Sequence, residues 1–147
     1  MTIRKLEQKD FGQVIAMMKV FYASDALLVH PDDAVLERTL TDAIADGPYV
    51  TGYGFEVEGK LVGYGMVSRS YSTETGGLCL WIEDIYILPE FRGRGIGTEF
   101  LHFVEKIGQG TAVRLRIEAE PENEKAISVY KNAGFEVLGY TQLVKSL

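Results

Sequence analysis

Leu78-Cys79-Leu80-Trp81-Ile82-Glu83-Asp84-Ile85-Tyr86-Ile87-Leu88-Pro89-Glu90-Phe91-Arg92-Gly93-Arg94-Gly95-Ile96-Gly97 reads as a strand, a turn and the opening of a helix. Leu78 to Leu88 is apolar, β-branched and aromatic, interrupted only by Glu83 and Asp84, and Pro89 ends it because it has no N–H for a ladder. From Ile96 onward Phe100, Leu101, Phe103, Val104 and Ile107 follow helical spacing. Gly93, Gly95 and Gly97 lie at the junction, where backbone without Cβ atoms lets successive N–H groups converge on one point. Such a point binds anions. The positive end of the helix adds to it, and Arg92 and Arg94 bring guanidinium groups able to grip phosphate oxygens in forked pairs.

Two familiar glycine loops fail on spacing. A dinucleotide fingerprint needs a further glycine where Thr98 stands, and a P-loop needs Gly-Lys followed by Ser or Thr, which the chain lacks. Arg92-Gly93-Arg94-Gly95-Ile96-Gly97 instead resembles, at every specified position, the Arg/Gln-x-x-Gly-x-Gly/Ala signature of the GNAT N-acetyltransferases. The segment Glu120-Pro121-Glu122-Asn123-Glu124-Lys125-Ala126, followed by Tyr130-Lys131-Asn132-Ala133-Gly134-Phe135, is similar to that family's later signature, in which an Asn near a helix start and a Tyr seven residues on flank the cofactor. Ile82-Glu83-Asp84-Ile85-Tyr86-Ile87-Leu88-Pro89 is most similar to the polyamine and thialysine acetyltransferase branch.

The 147 residues suit one domain, 1–147, with 46% hydrophobic and 24% charged residues, a globular balance. No apolar run approaches the roughly 20 residues of a membrane span. The start, Met1-Thr2-Ile3-Arg4-Lys5-Leu6-Glu7, has no signal-peptide core, so a cytoplasmic location is expected. Cys79 is the only cysteine, and no His/Cys cluster has metal-ligand spacing, so no metal is expected. A net charge of −6 disfavours nucleic acid and anionic membranes and suits a cationic small molecule.

Thr2–Leu6 alternates as a first strand, Asp10 is placed to cap a helix carrying Phe11, Val14, Ile15, Met18 and Phe21 or Tyr22, and Pro31 opens a second helix with Val35, Leu36, Leu40 and Ile44. Tyr49–Glu58 and Lys60–Tyr71 are strands joined by a tight turn, and Ser72–Gly77 is a loop. Ala112–Glu118 alternates as a strand, Asn123 caps a last helix that ends at Gly134, and Phe135–Leu147 supplies one or two closing strands. The expected fold is α/β (α+β): a single GNAT-like domain with a mixed sheet of six to seven strands and about four helices.

The resemblance implies acetyl-CoA as co-substrate and a primary amine as acceptor, attacked directly in a ternary complex. Coenzyme A carries a pyrophosphate that suits Arg92, Gly93, Arg94, Gly95, Ile96 and Gly97, and an amide-bearing arm that suits the strand backbone at Ile85 and Ile87. Asn123 and Tyr130 complete the implied cofactor site. An alkylamine has a pKa of about 10.4, so near neutrality a base or proton path must release its nucleophilic form. Glu83, sharing strand parity with Trp81, Ile85 and Ile87, is the candidate base; the alternative is a charge that draws in a cationic substrate. Tyr130 is the residue the family places as acid for the leaving thiolate. The alternative is a core aromatic beside Ala126 and Val129. Cys79 as a covalent acetyl carrier, a sensor that holds acetyl-CoA without transfer, and a protein amino group as acceptor stay open. A homodimer is expected from the branch and from apolar Leu143, Val144 and Leu147 near the end.

Overall fold

The apolar run at the centre of the chain forms a strand over Gly77–Ile87. Around it, the computed structural model describes residues 1–25 and 27–147; Ala26, in the stretch 24–30 expected to link the first two helices, lies outside the described residues. In chain order the elements are β1 (Thr2–Lys5), α1 (Phe11–Tyr22), α2 (Asp33–Ala45), β2 (Val50–Val57), β3 (Lys60–Ser72), β4 (Gly77–Ile87), α3 (Ile96–Gly108), β5 (Ala112–Ile117) and α4 (Glu124–Asn132). The sheet order is β1-β2-β3-β4-β5, antiparallel through β4 and parallel between β4 and β5. A parallel neighbour needs a crossover, and α3 is that crossover. Glu58 and Gly59, both at positive φ, close the β2–β3 hairpin in the turn sense that matches strand twist.

The sheet separates two cores. On one face Val14, Met17 and Met18 of α1 and Leu36, Leu40 and Ala43 of α2 cover Tyr64, Met66 and Tyr86. On the other, Ile96, Phe100, Leu101 and Val104 of α3 cover Phe55, Val62, Val67, Leu80 and Ile82, with Val129 and Tyr130 of α4 packed against them. Phe100 anchors this side, its ring 4.9 Å from Phe55 and 6.0 Å from Tyr53. Burying one such side chain contributes about 1.5–3 kcal/mol.

Three expectations are corrected. Among the described residues the sheet has five strands, not six or seven. Residues 135–147 pair with none of them, and Val137, Leu138, Tyr140, Leu143, Val144 and Leu147 are exposed. Their apolar residues fall on both faces of an extended chain, Val137 and Leu143 on one and Leu138 and Val144 on the other, so alternation specifies no single register. Asp10 holds the N-cap position of α1 as expected but gives that helix no side-chain hydrogen bond; its carboxylate accepts instead from Arg4 (2.7 and 2.9 Å) and from the Glu7 N–H (2.8 Å), fastening β1 to the turn before α1. Helix α2 begins after Pro31, because the Asp32 carboxylate takes the Val35 N–H at 2.9 Å. Asn123 caps α4 as expected, accepting from the Ala126 N–H at 3.2 Å.

A Cβ on Gly65 would stand 2.4 Å from the Phe100 ring. Gly65→Ala is expected to cost about 1–3 kcal/mol through overpacking, read as a lower urea midpoint. Gly139→Ala, where a Cβ meets nothing, is expected to change stability by less than about 0.5 kcal/mol.

Candidate active site

The site grows from one irregularity. Along the β3–β4 ladder Met66 faces Asp84 while Val67 faces Ile82, so Glu83 is an extra residue on β4, a β-bulge. Ile82 stays in the α3 core, whereas Asp84 turns to the opposite face, toward α1. The parity expected to unite Glu83 with Trp81, Ile85 and Ile87 fails for this reason. Ile85 and Ile87 pack on the α3 core, and Glu83 is exposed, accepting a hydrogen bond from the Ser68 hydroxyl. Trp81 pairs with Ser68 on one side and Arg116 on the other, and the Arg116 guanidinium lies 4.2 Å from the indole centroid.

Asp84 is the carboxyl in an apolar setting. It is 4% exposed, and its oxygens accept from the Tyr22 hydroxyl at 2.7 Å and the Tyr64 hydroxyl at 3.3 Å. Burial pushes its pKa up to about 6; the two tyrosine hydrogen bonds pull the other way, and the Glu83 charge adds to the rise. Tyr22 and Tyr64 are themselves pushed up by burial and by Asp84, so both remain protonated donors. The sequence presented Glu83 and Asp84 as an adjacent pair; only the bulge decides which one is buried.

Past the bulge β4 loses its neighbour. β5 pairs with β4 only from Leu78 to Ile82, and the strand continues alone on that side to Ile87. The Leu88 N–H donates to Val62 at 2.9 Å, so strand alternation turns the polar groups of Ile87 and Ile85 away from β3, into the gap. The Ile87 carbonyl there accepts from Arg92 Nε at 2.8 Å. The gap leads to the glycine turn. Gly93 (φ 73) and Gly95 (φ 81) are left-handed, and a Cβ on either would meet nothing within 4 Å. The backbone N–H groups from Gly93 to Thr98 find no acceptor among the described residues, and α3 has no side-chain cap. Arg92 and Arg94 fold back, Arg92 over Tyr86 and Arg94 over Phe91, with Arg94 also donating to the Glu90 carbonyl at 2.9 Å. The turn is therefore an amide nest with open space before it, flanked by two guanidiniums.

On the α3 face of the sheet, opposite Asp84, Tyr130 packs on the same core as Ile85 and Ile87 with its ring 6.4 Å from Phe135, and burial raises its pKa. Asn123 spends its carbonyl oxygen on capping α4. Cys79 is 1% exposed in β4, where it packs as a small apolar side chain.

Residues 10–135 match the model of the Acetyltransferase (GNAT) family. The chain belongs to that family. It is similar to a thialysine N-ε-acetyltransferase of Mus musculus, 30% identical over 145 residues, 92% of this chain and 84% of that protein. Its fold is that of a "possible acetyltransferase" from Clostridium difficile 630 (TM-score 0.86, 21% identity, 99% of this chain and 97% of that one). It is also that of an aminoglycoside N-acetyltransferase solved with CoA (TM-score 0.80, 19% identity, 99% and 93%).

The protein is thus an N-acetyltransferase with acetyl-CoA as co-substrate. Its residues fit that molecule: unpartnered amides and open glycines suit a pyrophosphate, and an unpaired strand edge suits an amide-bearing arm.

Gly95→Val places a β-branched residue at φ 81 and fills the space before the nest. Coenzyme A affinity is expected to fall about tenfold or more by calorimetry, with far-UV circular dichroism unchanged. For Asp84 the folded pKa lies above the ordinary carboxylate value, so its protonation favours folding. That contribution is full below about pH 4 and is lost as pH rises through about 6. Asp84→Asn is expected to gain on the wild type by on the order of 2–3 kcal/mol between pH 4 and pH 8, measured by urea unfolding at each pH.

Proposed function

We propose that residues 1–147 act as one enzyme that moves the acetyl group of acetyl-CoA to the primary amine of a small cationic acceptor, a polyamine or a lysine-like amino acid. The observation that carries this reading is the unpaired β4 edge at Ile85 and Ile87, which runs from the bulge, with its two carboxylates, to the amide nest at Gly93–Gly97. Donor and acceptor can then meet at one opening. Direct attack within a ternary complex follows, since Cys79 is sealed inside the sheet. In this reading Ile85 and Ile87 offer backbone groups to the coenzyme arm, and Arg92, Gly93, Arg94, Gly95, Ile96 and Gly97 hold its phosphates. Asn123 sets α4 beside it.

When bound, acetyl-CoA supplies an acyl group on a thiolate leaving group. The chain's part is to bring an amine, remove its proton and return one to sulfur. Glu83, exposed and held by Ser68 at the bulge, supports the role of a charge that draws the ammonium in. Tyr130, kept protonated by burial, serves as the acid for the thiolate. The mouse relative is a thialysine N-ε-acetyltransferase and the structural neighbour an aminoglycoside N-acetyltransferase, and both names put the acetyl group on a nitrogen of a small molecule.

A homodimer in the cytoplasm completes the proposal. Its support is the exposed apolar Val137, Leu138, Leu143 and Val144, a groove along β5 lined by Val113, Leu115 and Phe135, and a lone reduced thiol.

Tyr130→Phe tests the chemistry. It is expected to lower kcat by roughly 10²–10⁴ with the Michaelis constants for acetyl-CoA and amine nearly unchanged, in thiol-release assays across a panel of primary amines. A variant that keeps most of its turnover makes Tyr130 a packing residue.

A further inference from the structure

A buried carboxyl with no cation beside it is an expensive feature, and the roles given above to Glu83 and Tyr130 leave Asp84 without one. Its titratable neighbours among the described residues are tyrosines and one carboxylate. Tyr22 reaches it from α1 and Tyr64 from β3; Tyr86 stacks on Tyr64 with centroids 6.0 Å apart; Glu83 adjoins it on β4. His30 meets the Tyr22 backbone carbonyl, at 2.6 Å, and not its hydroxyl. No lysine or arginine hydrogen-bonds or pairs with Asp84 among the described residues. Asp84 is 4% exposed, so it cannot itself touch a substrate, whereas Tyr22, in the last turn of α1, is only half-buried. Both stand on the α1 face of the sheet, beside the bulge, while Tyr130 stands on the α3–α4 face. The β4–β5 ladder ends at Ile82, so beyond it β5 does not flank the edge of β4 that lies between the two faces.

We propose that Tyr22 and Asp84 form a proton relay for the acceptor amine, with Tyr22 as the catalytic residue that meets the ammonium and Asp84 as the positioning residue and proton sink behind it. The inference rests on the N-acetyltransferase reading and assigns the proton step within it. The Tyr22 hydroxyl hydrogen passes to Asp84 Oδ1 as an ammonium hydrogen passes to the Tyr22 oxygen, leaving a neutral amine and a protonated Asp84. No tyrosinate accumulates, because the two transfers occur together. After attack, the nitrogen gives up its second hydrogen and Tyr130 supplies one to sulfur; the nitrogen's hydrogen restores Tyr130. Asp84 then releases its proton to water, so the cycle converts an ammonium and a thioester into an amide, a thiol and one proton. Asp84 suits the sink better than a solvated carboxylate, because burial lifts its affinity for a proton while it still ionises at neutral pH.

Three variants and one titration test this. Wild-type kcat should rise with pH along an acid limb near 6. Tyr22→Phe and Asp84→Asn should each lower kcat about 10²-fold or more with the Michaelis constant for acetyl-CoA unchanged, and Asp84→Asn should abolish the limb. Tyr64→Phe removes a hydrogen bond that favours the charged form, so the limb should move to higher pH. Glu83→Gln should raise the amine's Michaelis constant and keep the limb. Retention of kcat and limb in Tyr22→Phe and Asp84→Asn, or loss of the limb in Glu83→Gln, overturns the relay while leaving the acetyltransferase reading intact. Carbon-13 titration of the Asp84 carboxyl gives a readout independent of turnover, with a midpoint near 6 that Tyr22→Phe moves upward. A midpoint below 4 overturns the relay even if no tested amine is acetylated; that last result alone would count against the acceptor class.

Discussion

One extra residue in β4 governs the site. In an unbroken pleat Glu83 would take its own partner on β3, and Asp84 would share the face of Ile82 and point into the α3 core. The bulge sharpens the local twist, and the β4–β5 ladder ends one residue before it, at Ile82. A carboxyl buried under α1, a carboxylate left in water, and an open backbone edge are therefore three results of one local insertion. They sit next to the glycine turn because β4 is only four residues longer than the bulge, and the chain reaches Gly93 after one short 3-10 turn.

The two arginines of the turn show how a binding site is kept ready without a ligand. Arg92 and Arg94 are held by carbonyls of Ile87 and Glu90 and lie over Tyr86 and Phe91, so their charges stay near the nest, with no carboxylate paired to them among the described residues. Cation–π contacts and neutral acceptors hold a guanidinium less tightly than an ion pair would, and a phosphate can compete for it. The backbone amides ask for no rearrangement at all.

Sequence reading went furthest where local chemistry is self-sufficient. The helices, the hairpin at Glu58-Gly59 and the glycine turn rest on periodicity and positive φ, which neighbours cannot easily override. It stopped at the bulge, because period-two counting across Trp81 to Ile87 assumes an unbroken pleat, and an inserted residue is visible only against its partner strand. The apolar-setting argument thus pointed to a real buried carboxyl and attached it to Glu83 when the structure gives it to Asp84. Phe135–Leu147 failed differently: strand propensity without a one-faced pattern specifies no edge to join. Tyr22 was legible only as part of an apolar stripe, since nothing in its own helix reveals a hydroxyl partner 62 residues away.

The burial of Asp84 also bears on how freely the rest of the chain can vary. A domain of this size holds a net stability of about 5–15 kcal/mol, and an ionised carboxyl sealed under α1 removes a sizeable fraction of it at neutral pH. The margin left for neutral drift is correspondingly narrower. It must be upheld by positions remote from the reaction, chiefly the Phe55–Phe100 aromatic contact and the small residues that admit it, such as Gly65. Substitutions there would reach activity through the folded population, with no change to the chemistry itself.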